Sequence, residues 1–277
     1  MSSNVDHEAE PVAPHPGGAY KFDRRQFPWW LAGLLAIIAA MVAAILFSDA
    51  YQEAFREIFP VPLDLIDGIA MTFYLTLGSF VVATFMGLFI GLARVSKNSA
   101  ISNIAGLYIE FIRGIPMLVF IFAVALVLVP DFADLINQPS RAIPMAVRGG
   151  IALSLFYAAF IAEVFRAGIQ SVPRDQSQAG TALGLTDRQV MRKIILPQAV
   201  RNMLPALGND LIALMKDTSL VSVLAVRELT QMARLYSGSS FRFRESFFVL
   251  MVIYVVLTLG LSLLLRWYER RMAIPGY

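Results

Sequence analysis

The chain of 277 residues carries 57% hydrophobic and only 16% charged side chains, which excludes an ordinary soluble protein of this length and is typical of a protein that crosses a membrane several times. The formal net charge of +3 gives no reason to expect nucleic-acid binding. The absence of cysteine excludes a disulfide framework, a thiolate metal site and a cysteine nucleophile, and both histidines, His7 and His15, precede the apolar part of the chain.

The N-terminal residues 1–27 are rich in proline, glycine and charge, a composition that predicts a disordered cytoplasmic tail. The following stretch, 28–48, is uncharged up to Phe47 and long enough to cross a hydrocarbon core of about 30 Å as a helix. A cleaved signal peptide is the alternative, because Ser48 and Ala50 have the small-x-small spacing of a cleavage site. The length of the preceding tail favours an uncleaved membrane anchor.

Five further stretches are predicted to cross the membrane. Residues 68–93 and 246–265 are free of charge, whereas residues 104–130, 142–162 and 202–226 are interrupted by charged side chains. Together with the N-terminal helix, they predict an all-α, polytopic transmembrane helical bundle with about six membrane helices.

The distribution of lysine and arginine predicts the orientation of the chain. With the N-terminus in the cytoplasm, the cytoplasmic loops and the C-terminal tail, residues 269–277, receive more basic residues than the opposite side does. The positive-inside rule therefore predicts that both termini are cytoplasmic.

The longest cytoplasmic connection, residues 168–201, is predicted to be a helical hairpin. Gly184 suits a left-handed helix stop, and Thr186 with Gln189 has the spacing of a capping box for a second helix. Pro197 is expected to end that second helix. The second helix has an apolar stripe formed by Val190, Ile194 and Ile195. This stripe either docks into another protein or lies against the membrane helices of the same chain, and the pattern favours neither alternative.

An energy source is missing from the sequence. No lysine follows a glycine, so the Gly-x-x-x-x-Gly-Lys-Ser/Thr loop that cradles nucleotide phosphates is absent. An ATP-driven machine would therefore need its nucleotide site on a partner chain.

The hairpin contains Gln178-Ala179-Gly180, then Gly184, then Ile194-Ile195-Leu196-Pro197. This pattern resembles the Glu-Ala-Ala loop of permeases in binding-protein-dependent ABC importers. Four flanking segments resemble the polar amino acid branch of that family, which serves His, Glu, Gln, Arg and opine uptake. These segments are residues 108–116, 162–169, 204–210 and 216–223.

The resemblance covers about residues 66–268 and implies the type I ABC importer permease fold there. It implies a non-enzymatic subunit of the bacterial inner membrane that holds no cofactor, with ATP and Mg bound by a separate ABC ATPase. A second permease subunit, identical or different, and a periplasmic or lipid-anchored amino-acid-binding protein would complete the importer. The residues that would couple to the ATPase are Gln178, Ala179, Gly180, Gly184, Ile194, Leu196 and Pro197.

The chain departs from the family pattern at several positions. Gln178 replaces the usual glutamate of the loop, and Gly180 replaces its second alanine, which costs a helix about 1 kcal/mol. The helix over 28–48 is extra to the five-helix core. In the membrane region, phenylalanine stands where relatives commonly have hydrogen-bonding residues: Phe120, Phe156 and Phe160. We interpret these rings as the mark of a subunit that pairs with a different permease carrying most of the substrate contacts. Helix packing, or a substrate with a large apolar side chain, is the alternative.

Polar side chains at membrane depth are candidates for the translocation pathway. Asn209 with Lys216, and Asp210 with Asp217, are seven residues apart, so adjacent stripes of one helix present groups that suit a zwitterionic amino acid. The predicted pathway residues are Glu163, Asn209, Asp210, Lys216, Asp217, Thr218 and Ser219.

Structural roles are open for the same residues. Asp217, Thr218 or Ser219 would cap a helical segment that starts near residue 220. Glu163 would pair with Arg166 three residues later, and Glu110 would pair in the same way with Arg113.

Two other function classes are alternatives. A secondary transporter would take up amino acids on an ion gradient without an ATPase. A membrane enzyme fits less well, because the sequence has no credible pair of nucleophile and base.

Overall fold

The computed structural model describes residues 29–58 and 68–272; the predicted tail, 1–27, and the end of the C-terminal tail, 273–277, lie outside them. Every regular element in the described ranges is helical, which confirms the predicted all-α fold class. The helices are α1 (Trp29–Leu46), α2 (Asp49–Ile58), α3 (Gly68–Arg94), α4 (Ser99–Arg113), α5 (Met117–Leu135), α6 (Met145–Gln170), α7 (Arg174–Ala182), α8 (Asp187–Val190), α9 (Leu196–Asp217), α10 (Leu229–Ser240) and α11 (Phe243–Met272).

The chain divides into two compact units, Met1–Met41 and Val42–Tyr277. In the first unit the structure describes the beginning of α1, an apolar helix. The second unit contains α2 to α11 and the residues discussed below.

Four described helices are long and apolar enough to cross a membrane by themselves: α3, α5, α6 and α11. A fifth span results if α1 and α2, separated by a bend after Leu46, count as one. The predicted span over 202–226 corresponds to α9 and a short 3₁₀ segment, Thr218–Leu224. Because α9 contains several charged residues, it is less apolar than the other four helices and is not among those that could cross a membrane by themselves.

The prediction of one span over 104–130 is wrong. Helix α4 ends at Arg113, Gly114 caps it, and α5 starts after Pro116, whose missing N–H and effect on the preceding residue favour a break. The membrane-crossing helix is therefore α5, Met117–Leu135, and α4 is a separate amphipathic helix.

The centre of the fold is the contact between α3 and α6. Gly87 lies against Ile161, and Gly91 lies against Phe165 and the carbonyl oxygen of Ala162, so closely that a Cβ atom on either glycine would overlap its neighbour. Small residues allow this close approach of two membrane helices. The opposite side of α3 exposes large apolar residues, as expected of a surface that faces lipid: Tyr74, Leu77, Val81 and Phe85.

Proline produces a widened turn at two places. Helix α5 contains a π turn over Val124–Leu128, followed by Pro130, and a second π turn, Met191–Ile195, joins α8 to α9 ahead of Pro197. The prediction that Pro197 ends the second hairpin helix is therefore wrong. The helix widens by one residue, which accommodates the missing N–H, and continues to Asp217.

Helix α2 was not predicted from the sequence. Its apolar side packs on α10 and α11, with Ala54 and Ile58 buried and the Tyr51 ring 5.1 Å from the ring of Phe248. Glu53 forms an ion pair with Arg242 at its outer side. This short helix is therefore an integral part of the Val42–Tyr277 unit.

Candidate functional site

The predicted hairpin forms as a helix, a glycine turn and a second helix. Gly184 has a φ of 79°, in the left-handed region where glycine is favoured, so the predicted helix stop is confirmed. Thr186 and Gln189 form the predicted capping box, in which each side chain bonds to the other residue's main chain.

The inner side of the hairpin explains the departure at Gly180. A Cβ atom at this position would lie 2.7 Å from Cδ1 of Ile194 and 2.9 Å from Cγ2 of Val190. The apolar stripe of the second helix thus packs partly on α7, an arrangement that neither predicted alternative included. Alanine at position 180 would require the Ile194 and Val190 side chains to shift.

The outer side of the hairpin is largely exposed. Gln178, Ala179 and Pro197 are exposed, Leu196 is half-buried, and Leu183 at the tip exposes 80% of its surface.

An ion pair attaches the hairpin to the loop between α3 and α4. Lys97, in the loop between α3 and α4, donates to Oδ2 of Asp187 at 2.6 Å. The hydrogen bond raises the pKa of Lys97 and lowers the pKa of Asp187. The lysine contribution is present below its ordinary pKa of 10.5, and the aspartate contribution above its ordinary pKa of 3.8, so the pair is intact at neutral pH.

Charge reversal at Lys97 is expected to loosen the hairpin slightly. Both side chains are largely exposed, so the effect on global stability is small. Lys97→Glu should raise the amide hydrogen exchange of α7 and α8, and the double variant Lys97→Glu with Asp187→Lys should return it to the parent level. Equal exchange in the parent and the single variant would contradict an attachment by this pair.

The predicted pair of Glu163 and Arg166 forms. Nε of Arg166 donates to Oε1 and Oε2 of Glu163 at 3.1 and 3.0 Å, and Nη2 donates to Oε2 at 2.6 Å. The corresponding prediction for Glu110 and Arg113 is wrong, because within the described chain these two form no ion pair. The Arg113 guanidinium lies instead 5.7 Å from the ring centre of Phe160.

The two carboxylates of α9 have different surroundings, and one of them contacts α6. Oδ2 of Asp217 accepts a hydrogen bond of 2.7 Å from the hydroxyl of Tyr157. Asp210 is half-buried, and its Oδ2 is enclosed without a hydrogen-bond partner in the described part of the chain. A buried carboxylate oxygen that lacks a donor is a candidate binding atom for a cationic group.

The capping alternative for the end of α9 does not hold. A 3₁₀ segment does start at Thr218, but the Asp217 side chain caps nothing and bonds to Tyr157. The Thr218 hydroxyl donates back to the carbonyl oxygen of Met215, and Ser219 is half-buried beside it.

The second predicted stripe of α9 points elsewhere. Asn209 is exposed and lines a groove between α9 and α11 together with Gly208, Ser262 and Glu269, while Lys216 is exposed. The structure therefore joins Asp217 to Tyr157, whereas Asn209 lines a different surface of α9.

The three phenylalanines pack against one another. The ring centre of Phe156 lies 5.7 Å from that of Phe120 and 5.3 Å from that of Phe160. Phe120 and Phe156 are buried in the core of the chain, which favours the packing interpretation for these two, whereas Phe160 is half-buried. Sequence reasoning missed Tyr157, although a tyrosine inside an apolar helix needs a hydrogen-bond partner for its hydroxyl.

Comparison with known proteins gives consistent matches. Residues 69–274 match the protein family described as binding-protein-dependent transport system inner membrane component. The glutamine transport system permease protein GlnP of Escherichia coli (strain K12) is 37% identical over 214 residues, covering 77% of this chain and 94% of GlnP. The probable amino-acid permease protein YxeN of Bacillus subtilis (strain 168) is 35% identical over 211 residues, covering 76% of this chain and 92% of YxeN.

A solved structure has a similar fold. A chain from a crystal structure of an amino acid ABC transporter with histidines superposes with a TM-score of 0.66 at 37% sequence identity. The match covers 74% of this chain and 92% of that chain.

Proposed function

Because this chain belongs to the family of binding-protein-dependent transport system inner membrane components, we propose that it is the membrane permease subunit of an ATP-driven importer of polar amino acids. The observation that carries the proposal is that one continuous helix connects the exposed hairpin to a polar contact inside the bundle. The helix that starts in the exposed hairpin continues through the second π turn to Asp217, which meets Tyr157 inside the bundle. The names of its relatives, a glutamine permease and a probable amino-acid permease, support the substrate class.

The proposed mechanism is alternating access without bond chemistry in this chain. A separate ABC ATPase binds ATP and Mg, and its closure moves the hairpin through contacts with Leu183 and the exposed residues Gln178 and Ala179. A periplasmic or lipid-anchored binding protein delivers the amino acid on the opposite side. Both termini of the permease are then cytoplasmic, and residues 66–268 form the permease domain, preceded by the extra membrane helix over 28–48.

The carboxylates of α9 are the proposed contacts for the solute. Asp210 has an enclosed oxygen without a donor, and the ammonium group of an amino acid supplies N–H donors of opposite charge. Glu163 is already paired with Arg166, so we assign it to the structure of the cytoplasmic end of α6. Asn209 and Lys216 face away from Asp210 and would contact a neighbouring subunit or solvent.

A second permease subunit is part of the proposal, and it is identical or different. A different partner is favoured by Phe160, a half-buried ring where relatives commonly have a hydrogen-bonding residue. Transport by this chain as the sole permease, with its ATPase and binding protein, decides the matter. Full uptake of a small polar amino acid that is abolished by Asp210→Ala would contradict the hypothesis that a different permease carries most of the substrate contacts.

The direct test of the function is reconstitution in proteoliposomes. An ATPase should co-purify with this chain in equal amount, and uptake of a labelled polar amino acid should require ATP and the binding protein. Uptake that follows an imposed ion gradient in the absence of any ATPase would establish the secondary transporter instead.

Substitution of Gly184 tests the hairpin as the coupling element. Gly184→Val places a branched side chain in a left-handed conformation and costs on the order of 1 to 2 kcal/mol locally. We expect substrate-stimulated ATP hydrolysis to fall severalfold. Gly184→Asn, which tolerates this conformation, is the matched control and should retain most of the activity. Hydrolysis by the valine variant at the parent rate would remove the hairpin from the coupling path.

A further inference from the structure

Arg148 is a charged residue buried in the first turn of α6, with only 5% of its surface exposed. Its Nε donates to the carbonyl oxygen of Ile143 at 3.0 Å, and its Nη1 donates to the carbonyl oxygen of Ala125 at 3.1 Å. The second bond crosses from α6 to the π turn of α5. A buried arginine that bonds to main-chain oxygens holds backbone in place.

The π turn explains why the Ala125 oxygen is available. In a regular helix this oxygen would accept from the N–H of Val129, but that N–H bonds to the oxygen of Val124. The next possible donor along the helix is residue 130, which is proline and has no N–H. Pro130 thus leaves a buried carbonyl without a helix partner, and Arg148 supplies the missing donor.

The neighbouring residue, Gly149, contacts a second irregular segment. A Cβ atom at Gly149 would lie 2.5 Å from Cγ1 of Val221, which is fully buried in the 3₁₀ segment Thr218–Leu224. That segment follows Asp217 directly and ends at Ala225, which has a left-handed conformation. One turn of α6 therefore holds the π turn of α5 through Arg148 and the 3₁₀ segment through Gly149.

We propose that Arg148 is a positioning residue for transport. It holds the π turn of α5 against the first turn of α6, and this turn of α6 also contacts the 3₁₀ segment that follows Asp217. The inference rests on the proposed importer function. Non-helical backbone inside a membrane domain is stable only where the protein satisfies it, and π turns inside helices are frequently found at functional sites. Loss of the Arg148 bond lets the π turn shift, so ATP hydrolysis continues while the solute is moved less efficiently.

The test uses three variants of the full chain, reconstituted with its ATPase and binding protein. Arg148→Met removes the donor and the charge but keeps a long side chain. Pro130→Ala restores an N–H to the π turn, so the Ala125 oxygen regains a donor from its own helix. The double variant combines the two changes, and Arg148→Lys tests whether one charged donor is sufficient.

The number of solute molecules taken up per ATP hydrolysed is the readout, since a simple loss of folded protein lowers both rates together. We expect Arg148→Met to lower this ratio about tenfold and the double variant to return it to within about threefold of the parent. Pro130→Ala alone should resemble the parent, and Arg148→Lys should be intermediate.

Two results would overturn the inference: a parental ratio in Arg148→Met, or a double variant as defective as Arg148→Met. If Arg148→Met fails to assemble, recovery of assembly in the double variant still supports the link to Pro130, and its absence contradicts it. Failure of the parent complex to take up amino acid with ATP would instead contradict the proposed function.

Discussion

Replacement of Gly91 by leucine is expected to abolish the folded, assembled protein. A Cβ atom at this position would lie 2.7 Å from Cβ of Phe165 and 2.8 Å from the carbonyl oxygen of Ala162, so the obstruction includes rigid main chain of α6. Overpacking of this kind typically costs about 1 to 3 kcal/mol, and more where backbone must move. Size-exclusion chromatography in detergent and the melting temperature are the measurements.

Gly78 provides the matched control for this substitution. It lies in the same helix, α3, and a Cβ atom there would have no neighbour within 4 Å. Gly78→Leu should therefore elute and melt like the parent. If Gly91→Leu also behaves like the parent, the contact between α3 and α6 is not the centre of the fold.

Tyr157→Phe is expected to lower uptake by about tenfold or more while the protein stays assembled. The change removes the hydroxyl that donates to Oδ2 of Asp217, and a hydrogen bond to a charged group contributes roughly 1.5 to 3 kcal/mol. The carboxylate then turns or seeks another donor, which alters the pathway at the end of α9. Uptake of labelled amino acid by proteoliposomes, at equal amounts of complex, measures the effect.

Tyr108 supplies the control, since its hydroxyl also donates a bond of 2.7 Å but to a main-chain oxygen, that of Leu155. Tyr108→Phe should affect stability about as much as Tyr157→Phe and uptake much less. Equal losses of uptake in the two variants would show that Asp217 needs no donor from Tyr157 for transport.

The hairpin was predicted well because its signals are local. The left-handed Gly184 and the capping box of Thr186 and Gln189 depend on a few neighbouring residues, and both formed as predicted. Pro197 was read by the same local rule and the prediction was wrong. Whether proline ends a helix or widens it into a π turn depends on the packing around it, and the Ile194 contact with Gly180 is such packing.

The membrane part was predicted less completely, because a long apolar stretch in the sequence does not indicate where one helix ends and the next begins. Gly114 and Pro116 interrupt a stretch that is apolar on both sides, so the break between α4 and α5 was missed. The pairing of Glu163 with Arg166 was found because it lies within one turn. The bond between Tyr157 and Asp217 joins residues 60 positions apart, and no single-sequence pattern specifies it.

In the proposed mechanism, the continuous helix from α8 through the π turn into α9 acts as a lever arm. At about 1.5 Å per residue, the helix from Asp187 to Asp217 measures roughly 45 Å. If this helix tilted by roughly 10° about its Asp217 end, the hairpin at its other end would move by roughly 8 Å. A large movement of the hairpin therefore corresponds to a small displacement beside Tyr157. In the proposed mechanism, the Met191–Ile195 π turn and Pro205 inside α9 determine how stiffly a movement of the hairpin is transmitted to Asp217.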